Sequence, residues 1–196
     1  MPKTGLTPAA IRDKAIDVTV EQMRRHGFDR VRLVDVAQDL GVSHAALYAH
    51  FADREALLDA VSERWLNGLE SSLEVICRKD KEPISKIHEW FQKLHRAKRD
   101  KFLNDPEPYK SFHIGAEEQK PFYTGHLTRV HRQLAHMVGE SVAEKRLTKY
   151  PVERTVSLLF EITTGFHNPK LVAQHVHEKR EPLLKQVLDV AIDGMS

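Results

Sequence analysis

The chain has 196 residues, a formal net charge of +2, 41% hydrophobic residues and one cysteine, Cys77. A lone cysteine excludes an intrachain disulfide and a cysteine-built zinc site, and so small a charge excludes indiscriminate adhesion to nucleic acid, so any contact with DNA must come from local placement of charge. No apolar run approaches the roughly 18 residues of a membrane span and no signal-peptide pattern opens the chain. The expectation is a cytoplasmic protein able to bury about 70% of its unfolded surface.

Thr7 before Pro8 is an N-cap with proline at the first helical position, and Ala15, Ile16, Thr19, Val20 and Met23 continue a helical stripe up to Gly27. Phe28 and Val31 are expected to pack beneath the two short helices of the next stretch. In 32–54, RLVDVAQDLGVSHAALYAHFADR, the residues Leu33, Val36, Ala37 and Leu40 recur at i, i+3, i+4 and i+7. Gly41 suits the left-handed stop of that helix, and Ser43 is an N-cap for a second short one, with Leu47 and Phe51 on its buried side. Two short amphipathic helices across a glycine turn are the helix-turn-helix signature, whose second helix is small enough for a DNA major groove. Ser43, His44, Ala45 and Tyr48 lie at or near its outward N-terminus, with His50 and Arg54 on the flank and the Arg32 guanidinium placed to hold a phosphate. Asp53 can cap the next helix. Its pattern runs from Arg54 through Leu57, Leu58, Val61, Trp65, Leu69, Leu73 and Ile76, too long to belong to the head alone.

The run RKDKEP breaks the chain before Pro83, which opens a helix with Ile84, Ile87, His88, Phe91, Leu94 and His95 on one face. Two prolines in 104–108 end it, and a shorter segment carries Tyr109, Phe112, His113 and Ile114. Pro121 starts a long helix through Val130, Leu134 and Val138. Pro151 starts another, with Val152, Val156, Leu159, Thr163 and Phe166 aligned. Asn168 and Pro169 give a fresh cap, and the last helix starts near Pro182. No strand-like alternation appears, so the fold is expected to be all-α, with a three-helix DNA-binding head carrying the helix-turn-helix over 1–53 and a helical-bundle body over 54–196.

The stretch GVSHAALYAHFADREALL resembles the DNA-binding module of the TetR family of transcriptional regulators. Gly41, Val42, Ser43, Leu47, Tyr48, His50, Phe51 and Arg54 match its Gly-Val-Ser turn, Leu-Tyr pair, His-Phe step and charged residue before a long helix. Ala46 stands where the family commonly has threonine, and Arg32 where another threonine often caps. The resemblance implies a homodimer on a palindromic operator in double-stranded DNA, an effector pocket in each body, and release by a small molecule. It also places Lys3 and Arg12 beside the DNA face as backbone contacts.

For the body, the candidate pocket lining is Trp65, Trp90, Phe91, Leu94, His113, Phe122, Tyr123 and His126, aromatic and apolar with a few polar groups. The candidate dimer face is Val156, Leu159, Phe160, Thr163 and Thr164 with Leu184, Val187, Leu188 and Ala191, and the rival reading of these stripes is an ordinary intrachain core. The twelve histidines include no i, i+4 pair with added carboxylate spacing, so no metal or other cofactor is assigned. No nucleophile and base fall into a recognisable motif and no glycine-rich phosphate loop is present, so no catalytic residue is named and no enzyme is expected. Two alternatives stay open: a DNA-binding regulator without an effector, and a small helical metal-dependent enzyme.

Overall fold

The computed structural model describes residues 7–196, and within them every regular element is helical. In chain order these are α1 (Pro8–His26), a 3-10 turn (Phe28–Arg30), α2 (Leu33–Leu40), α3 (His44–Tyr48), α4 (Arg54–Cys77), α5 (Pro83–Asn104), α6 (Pro106–Glu117), α7 (Pro121–Ala143), α8 (Val152–Ile162), α9 (Thr164–His167), α10 (Pro169–Gln174) and α11 (Glu181–Met195). The chain forms two compact units. One runs up to Trp65 and takes in Asp105–Tyr123; the other holds Leu66–Asn104 and Thr124–Ser196. These packing units cut the chain differently from a head over 1–53 and a body over 54–196: the first turns of α4 and all of α6 pack with the head.

The first unit starts at the cap read from the sequence, where Thr7 Oγ1 accepts from the Ala10 amide at 3.2 Å and Pro8 occupies the first turn. Its core gathers Ile16, Met23, Val36, Ala37, Leu47, Phe51 and Leu57, and Phe28 and Val31 lie beneath the short helices as expected. Three polar ties fasten α6 to this core. Arg24 of α1 makes a bidentate pair with Asp105 at 2.8 and 3.0 Å. Glu107 accepts from the Phe28 amide at 2.6 Å, and Ser111 links the Ser62 hydroxyl to the Leu58 carbonyl. Gly115 permits the last close approach: a Cβ there would stand 2.1 Å from the Phe122 ring.

The second unit is built on the apolar stripe of α5, where Ile84, Ile87, Phe91 and Leu94 follow spacings of three and four and all face inward. Trp90, Phe91 and Phe160 meet edge to face, with ring centroids 5.0 to 6.0 Å apart. The expected single helix from Pro151 through Phe166 is interrupted at Thr163, whose buried hydroxyl turns back to the Leu159 carbonyl at 2.6 Å, so α9 starts as a separate turn. Three consecutive carbonyls of α9 and its end are then met by basic side chains. Arg180 donates to Gly165, His95 to Phe166 and Lys98 to His167, at 2.7, 2.9 and 2.9 Å.

Candidate nucleic-acid interface

The turn between α2 and α3 follows from its glycine. Gly41 takes φ +66°, and the amides of Gly41 and Val42 close back on the carbonyls of Gln38 and Ala37 at 3.0 Å each, which satisfies the last carbonyls of α2. A residue with a Cβ would be strained in that conformation. Ser43 then caps α3 by accepting from the Ala46 amide at 3.2 Å, and Leu47 anchors the helix in the core. This fixes which side faces out: Ser43, His44 and Ala45 are exposed, Tyr48 keeps 53% of its surface, and His50 is half-buried. A short capped helix with an apolar root and a polar outer rim is a helix-turn-helix reading head.

Arg32 and Arg54 behave differently from each other. Arg32 is exposed and forks onto Asp35 at 2.7 and 3.0 Å, a pairing that holds its guanidinium more firmly protonated, and it gives α2 no side-chain cap. Arg54 turns inward. Its guanidinium donates to the carbonyls of Val31 and Phe28 at 2.9 and 2.6 Å and lies 4.9 Å over the Phe28 ring. The sequence placed it on the DNA-facing flank; at the corner after α1 its guanidinium meets the Val31 carbonyl and the Phe28 carbonyl, which also accepts the Val31 amide. Asp53 caps α4 as expected, accepting from the Ala56 amide at 2.7 Å. Arg12 is exposed at the start of α1, near Glu63 and the Phe51 ring, while Lys3 lies outside the described residues.

The residues read as a pocket lining divide between the two units. Trp65, His113, Phe122 and Tyr123 belong to the first, where Trp65 and Tyr123 both approach the ring of Phe112. Trp90, Phe91, Leu94 and His126 belong to the second and are buried there. His126 is fully enclosed, with Nδ1 2.7 Å from Glu70, which also takes a two-pronged contact from Arg129. Burial works against the Glu70 charge, but the hydrogen bonds from His126 and Arg129 outweigh it and hold the carboxyl below its ordinary range. Burial pulls His126 down to about 4, so its neutral imidazole donates from Nδ1 to a charged Glu70. Beside this pair a cleft of about 270 Å³ is lined by Ser71, Glu74, Arg132 and Gln133.

The stripes read as a dimer face lie mostly inside the single chain. Val156, Leu159, Phe160, Thr163, Leu184, Leu188 and Ala191 are buried within a single chain, and of the residues proposed only Thr164 and Val187 are partly open. The most apolar phase of α8 and α11 is the one each helix turns to its own core. The apolar residues left outside are Ile162, Leu183 and Val190, exposed to 44%, 46% and 74%, with Val187 between them.

Lys98 went unread in the sequence, although a signal existed: it continues the α5 stripe four residues beyond Leu94, where an apolar residue was due. Among the described residues no three histidine, cysteine or acidic side chains gather as metal ligands, and no helix is long and apolar enough to cross a membrane.

The geometry defines a helix-turn-helix protein. Residues 15–61 match the family model for bacterial regulatory proteins of the tetR family, and residues 83–188 match that for the tetracyclin repressor-like C-terminal domain. The chain belongs to the TetR family and is a DNA-binding transcriptional regulator. Its fold is similar to that of a TetR/AcrR-family transcriptional regulator from Thermobifida fusca YX-ER1, at TM-score 0.67 and 16% identity over 94% of this chain and 98% of the other. It is also similar to FadR from Thermus thermophilus, a TetR-family repressor in complex with lauroyl-CoA, at 0.67 and 16% over 94% and 95%. The triclosan complex of SmeT gives 0.64 and 16% over 94% and 91%.

Proposed function

We propose that this regulator is a ligand-responsive repressor, acting in the cytoplasm as a homodimer on a palindromic operator and released when a small molecule fills its body. The observation that carries the reading is the outward rim of α3, Ser43, His44, Ala45 and Tyr48, all exposed on a helix that is capped by Ser43 and rooted in the core by Leu47. His44 and Ala45 face base edges, while Ser43, Tyr48, His50 and Arg32 sit towards the phosphates. Arg54 supports the head from within. The division of labour is a DNA-reading part over 1–53 and an effector and dimer body over 54–196, with binding rather than turnover as its activity.

The pairing face is the exposed set Ile162, Leu183, Val187 and Val190, because a twofold interface apposes identical apolar patches and operator half-sites mirror that symmetry. Release by an effector has support in the relatives bound to lauroyl-CoA and to triclosan. A ligand that prefers the DNA-free conformation by about 100-fold supplies about 2.7 kcal/mol of coupling. Selection of binding sites from random duplexes at fixed salt tests the proposal: an enriched inverted repeat is expected, and a folded protein that enriches no sequence overturns it.

A further inference from the structure

Among the described residues of the first unit, the large apolar side chains left exposed are Tyr48, at 53%, and Val34, at 38%, and both belong to the helix-turn-helix. Tyr48 is on the outward rim of α3. Val34 is in the first turn of α2, and the core does not account for it: α2 buries Leu33, Val36 and Ala37 and leaves Val34 outside that stripe. A β-branched residue is also a poor choice for a helical position that packing does not fill, since it gives up rotamer freedom for no buried area.

The flank of α2 that carries Val34 follows from the neighbours of that helix. At about 100° per residue, Val34 and Asp39 stand on opposite sides of the buried stripe. Asp39 accepts from Gln22 of α1 at 2.9 Å, so the Asp39 side is the α1 side. The other helix packed closely on α2 is α3, and Val34 lies on the flank turned towards it. The backbone before α2 adds charge to the same edge. Val31 and Arg32 are extended, and burial alternates through the corner: Arg30, Arg32 and Val34 are exposed while Val31 and Leu33 are buried. An apolar side chain is therefore set beside two guanidinium groups at the border of the α3 rim, so that a surface able to exclude water from a base edge adjoins charge suited to phosphates.

Resting on the operator reading above, we propose that Val34 is a specificity residue that reads a thymine. Its methyl groups pack against the C5-methyl group of one thymine in each half-site, the apolar feature that the major groove shows only at a T·A pair. The contact comes from α2, so it adds a base to those reached from α3.

The test starts from the operator enriched out of random duplexes by the full-length protein. Each thymine of that site is replaced in turn by deoxyuridine, which removes the C5-methyl group and keeps the base pairing. Affinity is then measured by fluorescence anisotropy at one salt concentration for wild type and for Val34→Ala. At one position per half-site wild type is expected to bind thymine about four-fold tighter than deoxyuridine, the worth of one methyl-sized group withdrawn from water, and Val34→Ala is expected to bind the two alike. Thymines read from α3 should keep their discrimination in the variant. Alanine favours the helix, so Val34→Ala should unfold at no lower temperature than wild type. A variant that is less stable and loses affinity equally for thymine and deoxyuridine returns Val34 to a structural role and overturns the proposal. An operator with no thymine whose preference depends on Val34 also overturns it and leaves the operator reading standing, whereas a folded protein that enriches no sequence takes both down.

Discussion

The two units handle ionisable side chains in opposite ways. In the first, basic groups sit on the surface or at corners beside water: exposed Arg32 forks the half-buried Asp35 carboxylate, Arg24 grips Asp105 from a half-open position, and Arg54 closes a corner of the backbone. In the second, Lys86, His95, Lys98, His126 and His167 are enclosed. Exposed guanidinium groups remain charged beside water, whereas the ionisation of enclosed groups depends on what is packed beside them. The difference therefore makes the stability of the second unit the more sensitive to pH.

The contrast breaks most severely if the root of the reading helix is cut. Leu47→Ala removes a fully buried side chain under α3 and is expected to cost about 2–5 kcal/mol in denaturant unfolding, with loss of operator binding. Next comes Arg54→Ala, which removes the guanidinium that donates to the Val31 and Phe28 carbonyls, at a cost of about 1–3 kcal/mol. Because Arg54 acts inside the head, affinity should fall while the slope of log affinity against log salt stays the same. A slope reduced by about one would instead mark Arg54 as a phosphate contact.

Acid tests the other unit. His126 and His167 have folded values of about 4 and about 3, below the unfolded value of 6.5, so the unfolded chain binds more protons in that interval. Their contribution to stability is complete above about pH 6.5 and is lost as pH falls towards 4 and 3. Chemical unfolding between pH 7 and pH 4 should show this decline, and His167→Gln should flatten it; an unchanged slope would remove His167 from the account. A smaller effect is expected at the proposed pairing face, where Val190→Asp should weaken association about ten-fold, worth about 1.4 kcal/mol, in sedimentation equilibrium. The smallest is Tyr48→Phe, about 0.5–1.5 kcal/mol of operator affinity with unchanged preference among sequences, whereas His44→Ala should relax that preference.

The sequence by itself determined the head: the caps at Thr7, Ser43 and Asp53, the stop at Gly41 and the core positions Val36, Ala37, Leu47 and Phe51 were all legible, as was the family. Those signals are local, since a cap bonds to an amide two or three residues away and an apolar stripe is set by the period of its own helix. Only the tertiary structure decided where Arg54 points, that the apolar phase of α8 and α11 serves the chain's own core, that α6 packs with the head, and that Lys98 is enclosed. Each depends on partners 15 to 81 residues away, from Arg180 on Gly165 to Arg24 on Asp105, and spacing along one helix carries no record of what lies across from it.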